Sequence, residues 1–214
     1  GQPIVDNTDR EGTPVYPESA PDTPDREQDP TGWSKRCQAE ARVEYRYRDT
    51  EGEVQTLPEG ATELPADIAY IDTSQLVGAD EMDLGEEARI PYLFRYERGT
   101  LPENRFIYSI AMLVPFEEVT DAGGAPDDAL WNGRLVYSFG GGVGIGHSQG
   151  SLSDGDSQLD EALRAGHAVV YSSGTRTSVH YNLLLGGRTA EELKALFVDR
   201  YGEPIYTVGI GGSG

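Results

Sequence analysis

The sequence predicts an α/β domain on a mixed sheet, with antiparallel strands first and parallel strands joined by helices after them. Three observations predict it. Before residue 115, apolar and aromatic runs of strand length follow one another with no helical period between them. After residue 131, short apolar runs alternate with segments of helical period, as βαβ units do. Each later run then opens into a glycine-rich or polar loop, where parallel sheets line their binding crevices. Right-handed crossovers between those runs make that part of the sheet parallel, and the helix-free strands form its antiparallel edge.

Residues 1–36 stand apart as a first segment. They hold 6 of the 13 prolines and eight acids, Asp6, Asp9, Glu11, Glu18, Asp22, Asp25, Glu27 and Asp29. Such a stretch buries too little apolar surface to offset its ordering entropy, so it reads as an acidic, proline-rich arm or leader. Residues 37–214 form the domain. Val43–Tyr47 alternates apolar and polar, as a half-buried strand does. After an acidic, turn-rich loop, Arg89–Tyr96 reads as one strand and Arg105–Val114 as the next, ended by Pro115. The link Gly99–Asn104 is short enough to pair these two antiparallel. Ala122–Asp128 is a Gly/Pro/Asp loop.

The later elements begin with the strand Arg134–Phe139. A helix is expected from about Asp156, with a capping-box-like Ser157–Asp160, to Gly166. His167–Ser172 is the next strand. A loop to Arg188 precedes a second helix, opened by the capping box Thr189–Glu192 and ending near Tyr201–Gly202. Within it Leu193, Leu196 and Phe197 share one face. Ile205–Ile210 is the last strand, and Gly211-Gly212-Ser213-Gly214 follows it.

Charge and composition exclude several function classes. The chain of 214 residues carries 17 basic and 37 acidic residues, a net charge of −20. That field repels nucleic-acid backbones and anionic membranes, so neither is an expected partner. No apolar run reaches about 18 residues, the length a transmembrane helix needs. No basic segment followed by an apolar run reads as a signal peptide. Cys37 is the single cysteine, which excludes an intrachain disulfide and a cysteine-based zinc site. Asp154-Gly155-Asp156, near Asp160 and Glu161, has D-x-D spacing without the later ligands of a calcium loop. These acids read as helix N-terminal residues favoured by the dipole. No metal or other cofactor is expected.

Two glycine motifs carry the chemistry. Gly211-Gly212-Ser213-Gly214 after a strand fits most of G-x-S-x-G, where the serine sits on a strained strand-to-helix turn and its hydroxyl stands above the sheet. The closing glycine of that pattern falls beyond residue 214. Phe139-Gly140-Gly141-Gly142-Val143-Gly144 also follows a strand, and such backbone can aim several N–H groups at a developing oxyanion. A P-loop is excluded because no Lys-Ser/Thr follows, and a dinucleotide loop because residue 147, the third-glycine position, is histidine. The order strand, glycine tract, helix, strand, helix, strand, Gly-x-Ser-Gly is that of an α/β-hydrolase, with the oxyanion loop after the third strand and the nucleophile after the fifth.

Four stretches, Arg89–Thr100, Trp131–Gly142, Gly166–Val170 and Gly209–Gly214, resemble a family of secreted bacterial α/β-hydrolases distantly similar to tannases and feruloyl esterases. The resemblance spans about residues 37–214. It implies Ser213 as nucleophile, an oxyanion contribution from the Gly140–Val143 loop, and a secreted or periplasmic location. The expected oxyanion donors are the N–H groups of Gly141, Gly142 and Gly214. The triad order is serine, acid, histidine, so the acid and the histidine are expected beyond residue 214. The chain is then expected to be the N-terminal portion of the fold, completed by the rest of the same polypeptide or by a cleaved partner chain that stays bound. The expected substrate is a small or oligomeric carboxylic ester, with amides an option.

His147, Arg176 and His180 are candidate substrate contacts, Arg176 through a carboxylate of the ligand. His167, opening a buried strand, reads as a structural residue. Two other function classes stay open. One is a processed two-chain amidohydrolase whose nucleophile is the partner's N-terminal residue. The other is a non-catalytic assembly module whose Gly-Gly-Ser-Gly is a linker.

Overall fold

A computed structural model describes residues 13–15, 32–34, 39, 41–82, 84, 88–120, 127–141, 144, 146, 148–152 and 156–212. Strands β1 (Thr13–Val15) and β2 (Gly32–Ser34) pair antiparallel as a two-stranded ribbon. The remainder of the 1–36 segment, Cys37 and most of the 122–128 loop lie outside the described residues. The domain continues with β3 (Arg42–Arg48), β4 (Val54–Thr56), β5 (Tyr70–Asp72), β6 (Arg89–Pro91), β7 (Leu93–Thr100) and β8 (Ile107–Leu113). Then come α1 (Phe116–Thr120), β9 (Arg134–Phe139), α2 (Asp156–Arg164), β10 (Ala168–Ser172), α3 (Leu183–Tyr201) and β11 (Tyr206–Gly211).

Seven strands make one mixed sheet in the order β11-β9-β10-β8-β7-β3-β4. β9 pairs parallel with β10 on one side and with β11 on the other; every other pairing in the sheet is antiparallel. The sheet is therefore mixed in the predicted sense, an α/β-type fold with few helices. The crossovers β9–α2–β10 and β10–α3–β11 run on opposite faces. Ala162 and Leu163 of α2 pack with Tyr92, Phe94, Leu113, Val136 and Val169 on one face. Leu193, Phe197 and Tyr201 of α3 pack with Tyr108, Ile110, Leu135, Tyr137 and Val170 on the other. Being covered on both faces, β8 and β10 are apolar along most of their length rather than alternating.

Polar clamps fix both helices. Asp160 of α2 takes Arg48 at 2.9 Å, Arg164 at 3.0 Å and the Tyr92 hydroxyl at 2.9 Å. That acid is thus spent on packing α2 to the sheet. On the α3 face the Glu97 carboxylate, almost fully buried, accepts from Arg95 and the Tyr108 hydroxyl and is paired with Arg200. Burial drives the Tyr108 phenol up to about 12, so it stays a proton donor to Glu97.

Four local expectations change. Arg89–Tyr96 is not one strand: the chain breaks at Tyr92, whose N–H goes to Ala69 O and whose C=O takes Arg48 N–H, so β6 leaves to pair with β5 while β7 joins the sheet. The acidic loop before it contains β4 and β5: β4 closes a hairpin with β3 around buried Asp49, which accepts from Glu51 N, Glu53 N and Gln55 Nε2, and β5 pairs with β6. β8 begins at Ile107, because Arg105 lies in the left-handed region at φ 66° and closes a tight turn through Leu101.

The fourth change is the start of α3, at Leu183 rather than Thr189. Asn182 is its cap, with Oδ1 accepting from Leu185 N at 3.1 Å. Thr189 lies inside the helix, fully buried, and donates to Leu185 O. Leu193 and Phe197 are 0% exposed. Burial stabilises by about 1.5–3 kcal/mol for each such side chain, against roughly 1 kcal/mol for a cap. The apolar face, not the cap, therefore decides where α3 sits.

Candidate active site

Parallel pairing sets the geometry of the crest. The β11/β9 register runs from Tyr206 opposite Arg134 to Gly211 opposite Phe139. The chain leaving β11 as Gly212 thus emerges beside the chain leaving β9 as Gly140–Gly141, one inter-strand spacing of about 4.8 Å away. The Phe139 ring fits because its neighbours lack side chains: a Cβ on Gly209 would stand 3.0 Å from Phe139 Cε2, and one on Gly211 3.3 Å from Phe139 Cβ. Phe139 stacks on Tyr137 with centroids 4.5 Å apart. Ser213, Gly214, Gly142 and His147 lie outside the described residues.

The crossovers after β9 and β10 run over opposite faces of the sheet. The Arg176 stem lies against the end of β9. A Cβ on Gly140 would sit 2.9 Å from Arg176 Cγ and 3.1 Å from its Cδ, so only glycine lets the arginine stem lie flat on the end of β9. The Arg176 backbone is held as the cap of a short 3-10 turn, its N–H on Ser173 O at 3.2 Å. Further along the tract, Gly146 is pressed against the carbonyls of Ser178 and Val179. The structure thus brings Gly140, Gly141, Arg176 and the end of β11 to one edge.

His180 is on the same crest but turned inward. It is buried and stacks on Phe106 with centroids 5.1 Å apart. Asn182 N–H donates to its Nδ1 at 3.1 Å, so Nε2 is the nitrogen that donates to Gly174 O at 2.7 Å. Both ring nitrogens are engaged within the loop, and the geometry makes His180 a brace for Ser173–Asn182. His167 lies at the other end of the sheet. Its Nδ1 meets Asn132 Nδ2 at 2.8 Å, and burial, then the Arg134 guanidinium, holds the imidazole below its ordinary value.

Sequence reasoning missed several organising residues. Asn132, nearly fully buried, donates from Nδ2 to Val77 O and Ala165 O and accepts Arg134 N–H, tying three loops under the sheet. Asn104 donates to Thr189 and Glu192 of α3 and accepts Phe106 N–H, tying the β7–β8 turn to the helix. Ser173 and Gln149 link the crest loops. Isolated polar residues at strand ends leave no periodic signal, so no pattern in the chain marks them.

Among the described residues no three His, Cys, Asp or Glu side chains converge to hold a metal ion, and no helix is long and apolar enough to cross a membrane.

The fold and the crest define an α/β protein whose glycine-bearing strand ends meet at one edge of a mixed sheet. The match to known families names it further: residues 6–214 match the tannase-like family of unknown function (DUF6351), and the chain belongs to that family. The membership points to hydrolase chemistry of the esterase type. No curated protein and no solved structure matches the chain.

Proposed function

We propose that the protein is a serine hydrolase of the α/β-hydrolase fold, cleaving carboxylic esters through an acyl-enzyme on Ser213. One observation carries the reading: the register that sets Gly211 opposite Phe139. Counted from β7, the glycine tract follows the third strand and Gly-Ser-Gly the fifth, and the sheet order makes the third and fifth neighbours. Two motifs that are each weak in sequence thereby share one edge. Family membership supports the same chemistry.

In this reading the Ser213 hydroxyl attacks the ester carbonyl and passes its proton to a histidine base. The tetrahedral oxyanion is held by N–H groups of Gly141, Gly142 and Gly214. Collapse breaks the carbonyl–alkoxy bond, and the leaving oxygen takes the proton from the histidine. Water then attacks the acyl-enzyme through the same base, releasing the acid and restoring Ser213. An amide would follow the same route with an amine leaving. In this reading Arg176, whose stem lies against Gly140, pairs a carboxylate on the substrate.

The ring nitrogens of His180 are both engaged, and His167 sits at the opposite end of the sheet. Neither serves as the base in this reading, which follows the order serine, acid, histidine and takes the base and its acid from later in the same polypeptide or from a bound partner chain. A secreted or periplasmic location belongs to the same reading, through the family likeness; cell fractionation tests it.

The experiment is covalent labelling of the full protein by a fluorophosphonate, alongside ester turnover. Wild type labels at one site. Ser213→Ala loses the label, and turnover falls at least about 10³-fold. Unchanged labelling and turnover in Ser213→Ala refute the assignment. His147→Ala retaining both places the base elsewhere, as proposed.

A further inference from the structure

We infer that Ser173 and Gln149 are positioning residues for the oxyanion loop, joined as a staple that fixes the far end of the glycine tract. The inference rests on the hydrolase reading above. From Gly140 to Gly146 the only side chains are those of Val143 and Ile145. Glycine loses more conformational freedom on ordering than any other residue, and such a tract has little surface to pack. Its N–H groups hold a direction only if both ends are fastened. The near end is fastened by β9.

The far end is fastened by polar contacts. Ser173, fully buried at the end of β10, donates its hydroxyl to Gln149 O at 2.6 Å and accepts from Ile107 N at 3.1 Å. The Gln149 side chain donates to Arg105 O at 2.5 Å. Two further contacts press the same stretch down: Ser148 N–H reaches Val179 O at 3.4 Å, and a Cβ on Gly150 would stand 2.8 Å from Ser173 Cβ. The staple therefore joins the glycine loop, the start of β8 and the end of β10.

Its anchor is unusually constrained. Arg105 is the one non-glycine residue with positive φ among the described residues. A left-handed L-residue is disfavoured by roughly 1–2 kcal/mol and persists where its surroundings over-determine it. Here the turn is closed from both sides, Leu101 N–H on Phe106 O at 2.8 Å and Arg105 N–H on Leu101 O at 2.9 Å. Asn104 locks the same turn to Thr189 and Glu192 of α3. The staple itself, made of the Ser173 hydroxyl, the Gln149 amide and the Arg105 carbonyl, is uncharged.

The test measures ester kinetics and fluorophosphonate labelling rate for Ser173→Ala and Gln149→Leu in the full protein, well below each variant's melting temperature. Both are expected to lose kcat and labelling rate by on the order of 10–100-fold, the cost of misplaced oxyanion donors. KM is expected within about twofold, and the pH–rate profile unshifted, because the staple touches neither substrate nor base. Gln149→Leu, at a half-buried site, covers the case in which Ser173→Ala fails to fold. Wild-type kcat in a folded Gln149→Leu, or loss confined to KM or melting temperature, overturns the inference. Ser213→Ala run in parallel separates the failures: if it still labels, the hydrolase reading falls and takes this one with it; if it does not, only the staple is at stake.

Discussion

A methyl group at residue 146 should damage catalysis where one at residue 144 does not. The tract passes close to the loop after β10 at both positions, yet the clearances differ. A Cβ on Gly144 would make ordinary contact, 3.5 Å from Ser178 Cα and 3.6 Å from its Cβ. A Cβ on Gly146 would stand 2.6 Å from Val179 O and 2.9 Å from Val179 C, and closer still to Ser178 O. These obstacles are backbone atoms, so no rotamer change relieves them. Restoring contacts near the usual 3.5 Å forces tract and loop apart by about 1 Å. A displacement of that size costs about 10²-fold in a reaction that depends on aligned donors, which is about 2.7 kcal/mol of transition-state stabilisation. Overpacking also lowers stability, by roughly 1–3 kcal/mol. The assay is kcat/KM on a chromogenic ester with the fluorophosphonate labelling rate, beside a thermal melt. Gly146→Ala is expected to lose about 10²-fold in both rates, and Gly144→Ala to stay within about threefold. Equal rates in the two variants, or a greater loss in Gly144→Ala, would refute the placement of the tract against Ser178–Val179.

Asn132→Ala removes the side-chain hydrogen bonds to Val77 O, Ala165 O and Arg134 N–H, while Val77 O keeps Arg134 and Ala165 O keeps Val77 N–H. Urea unfolding should show a loss of about 2–3 kcal/mol, with turnover of the folded fraction unchanged because these loops lie away from the crest. Glu97→Leu strips the carboxylate from Arg95 and Arg200 on the α3 face, and a loss of about 3 kcal/mol is expected for broken buried pairs. His167 has a folded pKa below its unfolded value, so the unfolded chain binds more protons between the two. Its contribution is complete above the unfolded value of about 6.5 and is lost as pH falls through the folded one. His167→Gln should flatten the stability profile on the acid side; an unchanged slope contradicts the assignment.

Much of the sheet was legible because strand period survives in local sequence. Arg134–Phe139 was read to the residue, and the antiparallel edge followed from strands with no helix between them. The failures have tertiary causes. Gly186-Gly187 reads as loop, since two glycines are disfavoured by about 1 kcal/mol each in a helix. The structure keeps them helical because Asn182 caps ahead of them and the buried face of Leu193 and Phe197 holds the helix behind them. The strand broken at Tyr92 likewise has continuous strand propensity. Its break is decided by the distant backbone of Ala69 and Arg48, which no local pattern encodes.

The two glycine motifs are legible in the sequence, but not how the strands that precede them are arranged. Chain order separates the glycine tract from Gly-x-Ser-Gly by a helix, a strand and a second helix, so proximity along the chain says nothing of their meeting. Topology brings β9 and β11, the strands that precede them, side by side. One crossover carries the chain from β9 to β10 over the α2 face, and the next carries it back over the α3 face to the far side of β9. β9 is left between the two, and β11 has no choice but to run beside it in parallel. The apolar faces of α2 and α3 fix that return, and the residues that drive it, Leu163 on one face and Phe197 on the other, lie outside both glycine motifs. Sequence motifs named the groups, and helix burial on opposite faces of the sheet sets the strand ends that carry them side by side.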